Sequence, residues 1–233
     1  MTAPDAEPSD RLSLQAAAHL LQVSERTMQR WVQKFGMPHE VTADGALVFS
    51  RRAILDWADS HSMRLAAEVP SSEDHDRALP TLIAAVRRGG IHRDVGGNSV
   101  ESALEHAANV MQLPNAIERD FFHQVLLARE DLGSTGIGEG FAVPHVRAPL
   151  VLHVEEAYVG IVFLEQPIDW QAVDHKPVDT LFVLASPGIR SHLHLLRRIA
   201  IACSDASLRA LLLARASDAE LEARLEVIAT LPV

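Results

Sequence analysis

The sequence predicts an α/β protein in two parts: an α/β sandwich built on one mixed sheet flanked by helices, preceded by a small winged helix-turn-helix unit. Three observations lead there. Leu14, Ala17, Ala18 and Leu21 recur at helical spacing ahead of a second capped, amphipathic stretch. The run from Val159 to Phe163 is apolar on both faces, as a central strand covered by helices on each side requires. Between these parts, Glu68-Val69-Pro70-Ser71-Ser72-Glu73-Asp74 is polar and turn-prone, as a linker is.

Met1 to Asp10 is acidic and contains proline, which fits a disordered tail. Ser13 is placed to cap a first helix through Leu21, Gln22-Val23 make the turn, and Ser24 caps a second helix over Glu25 to Lys34. In that helix Thr27 and Met28 pack near Trp31, while Arg26, Gln29, Arg30, Gln33 and Lys34 lie largely on polar faces. Val41 to Phe49 alternates about Asp44-Gly45 as a hairpin does, which supplies the wing, and Arg51-Arg52 lead into a helix carrying Ile54, Leu55 and Trp57. The expected division is a tail over 1–10, the winged unit over 11–62, a linker over 63–75 and a second domain over 76–233. In that domain helices are expected near 79–88, 99–111, 115–129, 192–203, 207–215 and 218–228. Strands are expected near 91–95, 141–143, 154–163 and 180–185. No internal repeat or heptad run appears.

A net charge of −10 over 233 residues argues against broad non-specific binding to nucleic acid or membrane, although a local basic patch fits within an acidic whole. The single cysteine, Cys203, excludes an internal disulfide, and its neighbours Ile199, Ile201 and Ala202 place it in a packed helix. No segment approaches the roughly eighteen consecutive apolar residues of a membrane helix. The N-terminus lacks a signal-peptide pattern. The expectation is a cytoplasmic protein without membrane insertion.

The stretch Gly133-Ser134-Thr135-Gly136-Ile137-Gly138-Glu139-Gly140-Phe141-Ala142-Val143-Pro144-His145 concentrates the chemistry. Its glycines permit positive φ and close approach of amide N–H groups to an anion, and Ser134 and Thr135 add hydroxyl donors. Pro144 stiffens the backbone just before His145, which restrains a nucleophile. Arg129-Glu130-Asp131-Leu132 precedes the loop. Gln166-Pro167-Ile168-Asp169-Trp170, Asp174-His175-Lys176-Pro177-Val178-Asp179 and Ser191-His192-Leu193-His194-Leu195-Leu196 follow it. In wording and order these segments resemble the enzyme IIA domains of the fructose/mannitol/nitrogen-regulatory class of the phosphoenolpyruvate-dependent phosphotransferase system, over roughly residues 76 to 230.

The resemblance implies an enzyme IIA-like α/β sandwich in which His145 accepts a phosphoryl group, with His192 as the second active-site histidine and Arg129 beside it. Gly133, Ser134, Thr135, Gly136 and Gly138 would hold the phosphate. His194 lies about 200° around the helix from His192, so only one of the two can face the site. Neither a metal nor a cofactor is expected, because transfer between histidines asks chiefly for positioning and neutralisation of phosphoryl oxygens. The chain would then be a phosphocarrier rather than a turnover enzyme. An HPr-type carrier would be its donor, and an enzyme IIB or a regulatory protein its target.

From Leu12 to Trp31 the wording Leu-Ser-Leu-Gln-Ala-Ala-Ala-His-Leu-Leu-Gln-Val-Ser-Glu-Arg-Thr-Met-Gln-Arg-Trp resembles excisionase- and MerR-like winged helix domains, which bind DNA. This implies Arg26, Gln29, Arg30 and Lys34 on a helix entering the major groove, with Arg51 and Arg52 at phosphates. The same charges also suit an ordinary solvated helix face. The unit is nearly neutral, so a homodimer would serve affinity better than a monomer. Three readings stay open: a DNA-binding regulator with a phosphoacceptor domain, a phosphocarrier whose N-terminal unit docks a protein, and a ligand-sensing module in which His145 only forms hydrogen bonds.

Overall fold

The computed structural model describes residues 10–61, 63–65, 78–146, 150–152 and 154–231; the expected tail over 1–9 and linker over 66–75 lie outside the described residues. The N-terminal unit begins with β1 (Arg11–Ser13), a three-residue strand too short to leave a periodic signal. Ser13 caps α1 (Leu14–Leu21) by accepting the Ala16 N–H, and Gln22 ends it in the left-handed region at φ 54°. Ser24 caps α2 (Glu25–Phe35) through the Thr27 N–H, and Gly36 closes it at φ 60°. The hairpin of β2 (Glu40–Val41) and β3 (Leu47–Ser50) forms as expected, and β1 adds to it in the order β1-β3-β2. Asp10, expected in the tail, is instead an anchor for α3 (Arg51–Ser60). Its carboxylate accepts the Arg52 N–H at 3.0 Å and the hydroxyl of Ser50, the residue that caps the helix. Those bonds hold the Asp10 carboxyl below its ordinary pKa, the Ser50 bond most strongly.

β4 (Met63–Leu65) falls inside the expected linker, and its backbone pairs antiparallel with a strand far along the chain, Leu150–Leu152. Next come α4 (Leu82–Gly89), β5 (Ile91–Val95), α5 (Val100–Val110) and α6 (Arg119–Glu130). The short β6 (Gly136–Gly138) and β7 (Phe141–Ala142) precede the β4 partner, which is β8. The long strands β9 (Tyr158–Ile168) and β10 (Val178–Ala185) lead to α7 (Ile189–Ser204), α8 (Ala206–Leu213) and α9 (Asp218–Ala229). The main sheet is mixed and five-stranded in the order β5-β9-β10-β7-β6, with β9 and β10 antiparallel at its centre.

Several expected boundaries move, two elements by four residues or more. The helix expected from Asn115 starts at Arg119, because the Ile117 N–H closes a turn on the Pro114 carbonyl first. The strand expected over 154–163 begins at Tyr158 after an exposed Glu155-Glu156 bend, and its ladder on β10 extends to Ile168 opposite Val178. Alternate residues of β9 feed two cores. Val159, Ile161 and Phe163 meet Leu195 and Ile199 of α7; Val162 and Leu164 join Leu104 of α5 and Phe122 of α6. Gly89 lets α4 cross β9 closely, since a Cβ there would sit 2.4 Å from the Val159 carbonyl group. Cys203 is buried, and burial pushes its thiol up to about 12. Among the described residues, no helix is long and apolar enough to cross a membrane.

The N-terminal unit packs on α6. Phe121 sits among Trp31, Phe35, Trp57 and His61, with ring centroids 5.7, 5.3, 5.2 and 4.7 Å away. Offset aromatic contacts at such distances add about 0.5–1.5 kcal/mol each beyond area burial. Phe121→Ala is therefore expected to destabilise the chain by about 3–5 kcal/mol and to shift tryptophan emission to the red as water reaches Trp31 and Trp57. Denaturant titration followed by fluorescence measures both.

Candidate functional site

His145 is held at the end of the sheet by its own backbone. It bridges Leu184 of β10 in parallel, and the Leu184 N–H donates to the Pro144 carbonyl at 2.9 Å. Its ring is fixed as well: Nδ1 donates to the Val143 carbonyl at 2.7 Å. A carbonyl can only accept, so the proton resides on Nδ1, and the lone pair is on Nε2. The Arg129 Nε–H, from the last turn of α6, donates to that Nε2 at 3.3 Å, while Arg129 Nη1 holds the Gly133 carbonyl at 2.8 Å. The His192 ring, in the first turn of α7, lies 5.3 Å from the His145 ring. Arg129 and His145 edge a cleft of about 410 Å³ that is also lined by Thr135 and by the apolar Ile137 and Val173.

His192 is pushed down to about 4 from its ordinary 6.5, first by burial and then by its neighbours His145 and Arg129. It is neutral near pH 7. The Ser186 hydroxyl lies 3.1 Å from its Nδ1. His194 has turned away toward the Pro80 backbone and Arg198, as its helical position requires.

Several polar groups of the glycine-rich loop bond within the protein. The Gly133 N–H bonds the Glu130 carbonyl. The Thr135 N–H bonds Glu130 Oε1 at 2.9 Å, and the Gly136 N–H bonds Ser134 Oγ at 3.0 Å. The hydroxyls are engaged too: Ser134 donates to the Trp170 carbonyl at 2.5 Å, and Thr135 donates to the other Glu130 oxygen. The Trp170 indole N–H reaches Thr135 Oγ1 at 3.3 Å. Gly138, at φ 92°, lies against the Asp174 carboxylate, which takes the Glu139 N–H at 2.8 Å. A carboxylate beside Gly138 repels a phosphate. The loop's polar groups thus bind the protein itself, and its glycines let β6 turn back tightly beneath His145. Of the residues expected to contact phosphate, Gly133, Thr135 and Gly136 bond their amides within the protein, Ser134 and Thr135 bond their hydroxyls there, and Gly138 faces a carboxylate.

Glu130 and Ser186 were absent from the sequence-derived site. Glu130 had a signal, since it follows Arg129 directly. Ser186 had none, because only the turn between β10 and α7 brings it to His192. Of the expected DNA contacts, Arg26, Gln29, Lys34, Arg51 and Arg52 are exposed. Arg30 is not aimed at solvent: its Nη2 pairs with Asp131 Oδ2 at 3.2 Å, at the end of α6.

Residues 86–227 match the family model described as phosphoenolpyruvate-dependent sugar phosphotransferase system, EIIA 2. The chain is 39% identical over 120 residues to the nitrogen regulatory protein of Pseudomonas aeruginosa, covering 50% of this chain and 75% of that one. It is 36% identical over 136 residues to the nitrogen regulatory protein of Escherichia coli K12, covering 58% of this chain and 80% of that one. Among solved structures, the nitrogen regulatory protein IIA-Ntr of Neisseria meningitidis superposes with a TM-score of 0.51 at 32% identity, covering 58% of this chain and 92% of that one. The family match lies in the C-terminal part of the chain, and none of these comparisons assigns the fold of the N-terminal unit.

Because His192 is depressed in the folded chain, the unfolded chain takes up a proton first on acidification. The stability present above pH 6.5 is lost as pH falls toward about 4. Thermal unfolding between pH 7.5 and 4.5 is expected to show a steeper loss for wild type than for His192→Gln.

Proposed function

Since the chain belongs to the phosphoenolpyruvate-dependent sugar phosphotransferase system EIIA 2 family, we propose that it is a phosphocarrier in which His145 Nε2 accepts a phosphoryl group from an HPr-type phosphohistidine carrier. The observation that carries this reading is the Nδ1–H bond to Val143, which leaves the Nε2 lone pair toward Arg129. The bond to phosphorus forms at Nε2 as the donor's N–P bond breaks, and the donor nitrogen keeps the electron pair. Nδ1 keeps its proton, donated to the Val143 carbonyl, so no proton has to move at His145.

Arg129 supplies the charge that phosphoryl oxygens need. His192 is neutral, and in the tautomer whose Nδ1 accepts from the Ser186 hydroxyl its ring proton sits on Nε2 as a donor. A phosphoryl group brings about two negative charges beside His192, which favours its protonation and a stronger hydrogen bond. The exposed side chains of Ile137 and Val173 on the cleft and of Ile189 and Leu193 on α7 give the site an apolar rim suited to a protein partner rather than a free sugar. The likeness to nitrogen regulatory proteins supports a place in the nitrogen-regulatory branch, with an enzyme IIB or a regulatory protein as the outlet.

For the N-terminal unit we propose duplex DNA binding through α2. The arrangement of α1, its tight turn and α2 beside a β-hairpin supports this, as do exposed Arg26 and Gln29 with Arg51 and Arg52 nearby. The near-neutral charge of the unit makes a homodimer the form that would bind.

Incubation with phosphoenolpyruvate, enzyme I and an HPr-type carrier is expected to add one acid-labile phosphoryl group, about 80 Da by intact mass. His145→Ala is expected to abolish the adduct, and His192→Gln to slow its formation by about 10²-fold. Equal labelling of His145→Ala and wild type refutes the assignment. Fluorescence anisotropy with duplex DNA is expected to show salt-sensitive binding weakened by Arg26→Ala; binding indifferent to both salt and Arg26 removes the DNA reading.

A further inference from the structure

The N-terminal unit grips the phosphoacceptor site from two flanks. On one, Arg30 Nη2 and Thr27 Oγ1 of α2 donate to the same Asp131 oxygen, at 3.2 and 3.4 Å. Asp131 terminates α6 two residues after Arg129, the residue whose Nε meets His145 Nε2. The Arg30 and Asp131 side chains are only 19% and 28% exposed, so salt screens the pair less than it would a surface contact. On the other flank, the strand that follows α3 is the backbone partner of β8, which begins five residues after His145. Between the flanks, α2 and α3 close around Phe121 of α6. Three elements of the N-terminal unit thus bear on the two segments that meet at the His145–Arg129 contact.

A phosphoryl group cannot be added to this geometry without moving Arg129. Its Nε–H lies 3.3 Å from Nε2, the nitrogen whose lone pair must make the bond to phosphorus. The Nε–H must leave Nε2 and can bond phosphoryl oxygens instead. Arg129 stands two residues before Asp131 at the end of α6, so a shift of that turn would reach the Arg30 and Thr27 contacts.

We propose that the N-terminal unit is a latch on the phosphoacceptor site: it is docked through Arg30, Thr27 and Asp131 while His145 is bare, and it is loosened when His145 carries a phosphoryl group. The inference rests on the reading of His145 as the acceptor. By linkage the effect is reciprocal, so a chain with the latch broken holds the phosphoryl group more tightly against its donor. Release also frees Arg30, the one candidate DNA contact that docking occupies, so the phosphorylated form is the one whose α2 face is complete.

The test is hydrogen exchange on the full chain, bare and phosphorylated by the phosphoenolpyruvate relay, with intact mass verifying one adduct. Phosphorylation is expected to speed amide exchange across residues 25–35 and 150–152 by about tenfold or more, as local opening becomes easier. Asp131→Asn and, separately, Arg30→Ala are expected to reproduce that faster exchange in the bare chain, and to shift the transfer equilibrium with the carrier about threefold toward this protein. Arg30→Lys should restore part of the protection. An adduct that leaves exchange in 25–35 unchanged overturns the latch and leaves the acceptor reading intact. Absence of any adduct on wild type overturns the acceptor reading and the latch with it.

Discussion

Pro144 and His145 are pinned against the end of β10, where the Leu184 N–H holds the Pro144 carbonyl and the Val143 carbonyl holds His145 Nδ1. These two hydrogen bonds decide where the His145 ring sits and leave the lone pair on Nε2. Everything else about the site is arranged around that choice. Arg129 has to approach from the end of α6, and His192 from the start of α7. The sheet order β9-β10-β7-β6 places those two helix ends at the same edge as His145.

The glycine-rich loop shows how one residue pattern can serve either of two purposes. Glycines permit positive φ and close approach whether the approaching group is a ligand or the protein's own backbone. Here Ala172 comes so near that a Cβ on Gly136 would lie 2.7 Å from its side chain. Glu130 ties up both polar groups of Thr135, and Ser134 is tied to Trp170. Buried polar groups without partners are costly, so a loop that satisfies its own amides and hydroxyls is a stiff loop. Stiffness beneath His145 favours transfer by positioning, which is what phosphoryl exchange between imidazoles chiefly requires.

The N-terminal unit is joined to this site by more than a chain connection. Phe121 is buried among four rings of α2 and α3, and the same α6 helix ends at Arg129 and Asp131. A helix packed at its beginning by one unit and carrying an active-site side chain at its end transmits displacement between the two. That arrangement gives a physical basis for fusing a phosphoacceptor to a candidate DNA-binding unit, in place of a flexible tether that would leave the two independent.

Much of this was legible in the residue order. Ser13, Ser24 and Ser99 mark helix starts because a side-chain oxygen caps a local N–H. The Val159–Phe163 run marks a central strand, and Pro144-His145 with its flanking motifs marks the proposed acceptor. Such features depend on neighbours within a few positions. What the tertiary structure alone decided depends on groups far apart in sequence. These are the pairing of Met63–Leu65 with Leu150–Leu152, the capture of Arg30 by Asp131, the hydroxyl of Ser186 on His192 and the anchoring of the start of α3 by Asp10. A short strand has no period to read, and a charged side chain does not announce its partner. Only when folding closes the intervening loops do the side chains meet that decide between solvent, phosphate and one another.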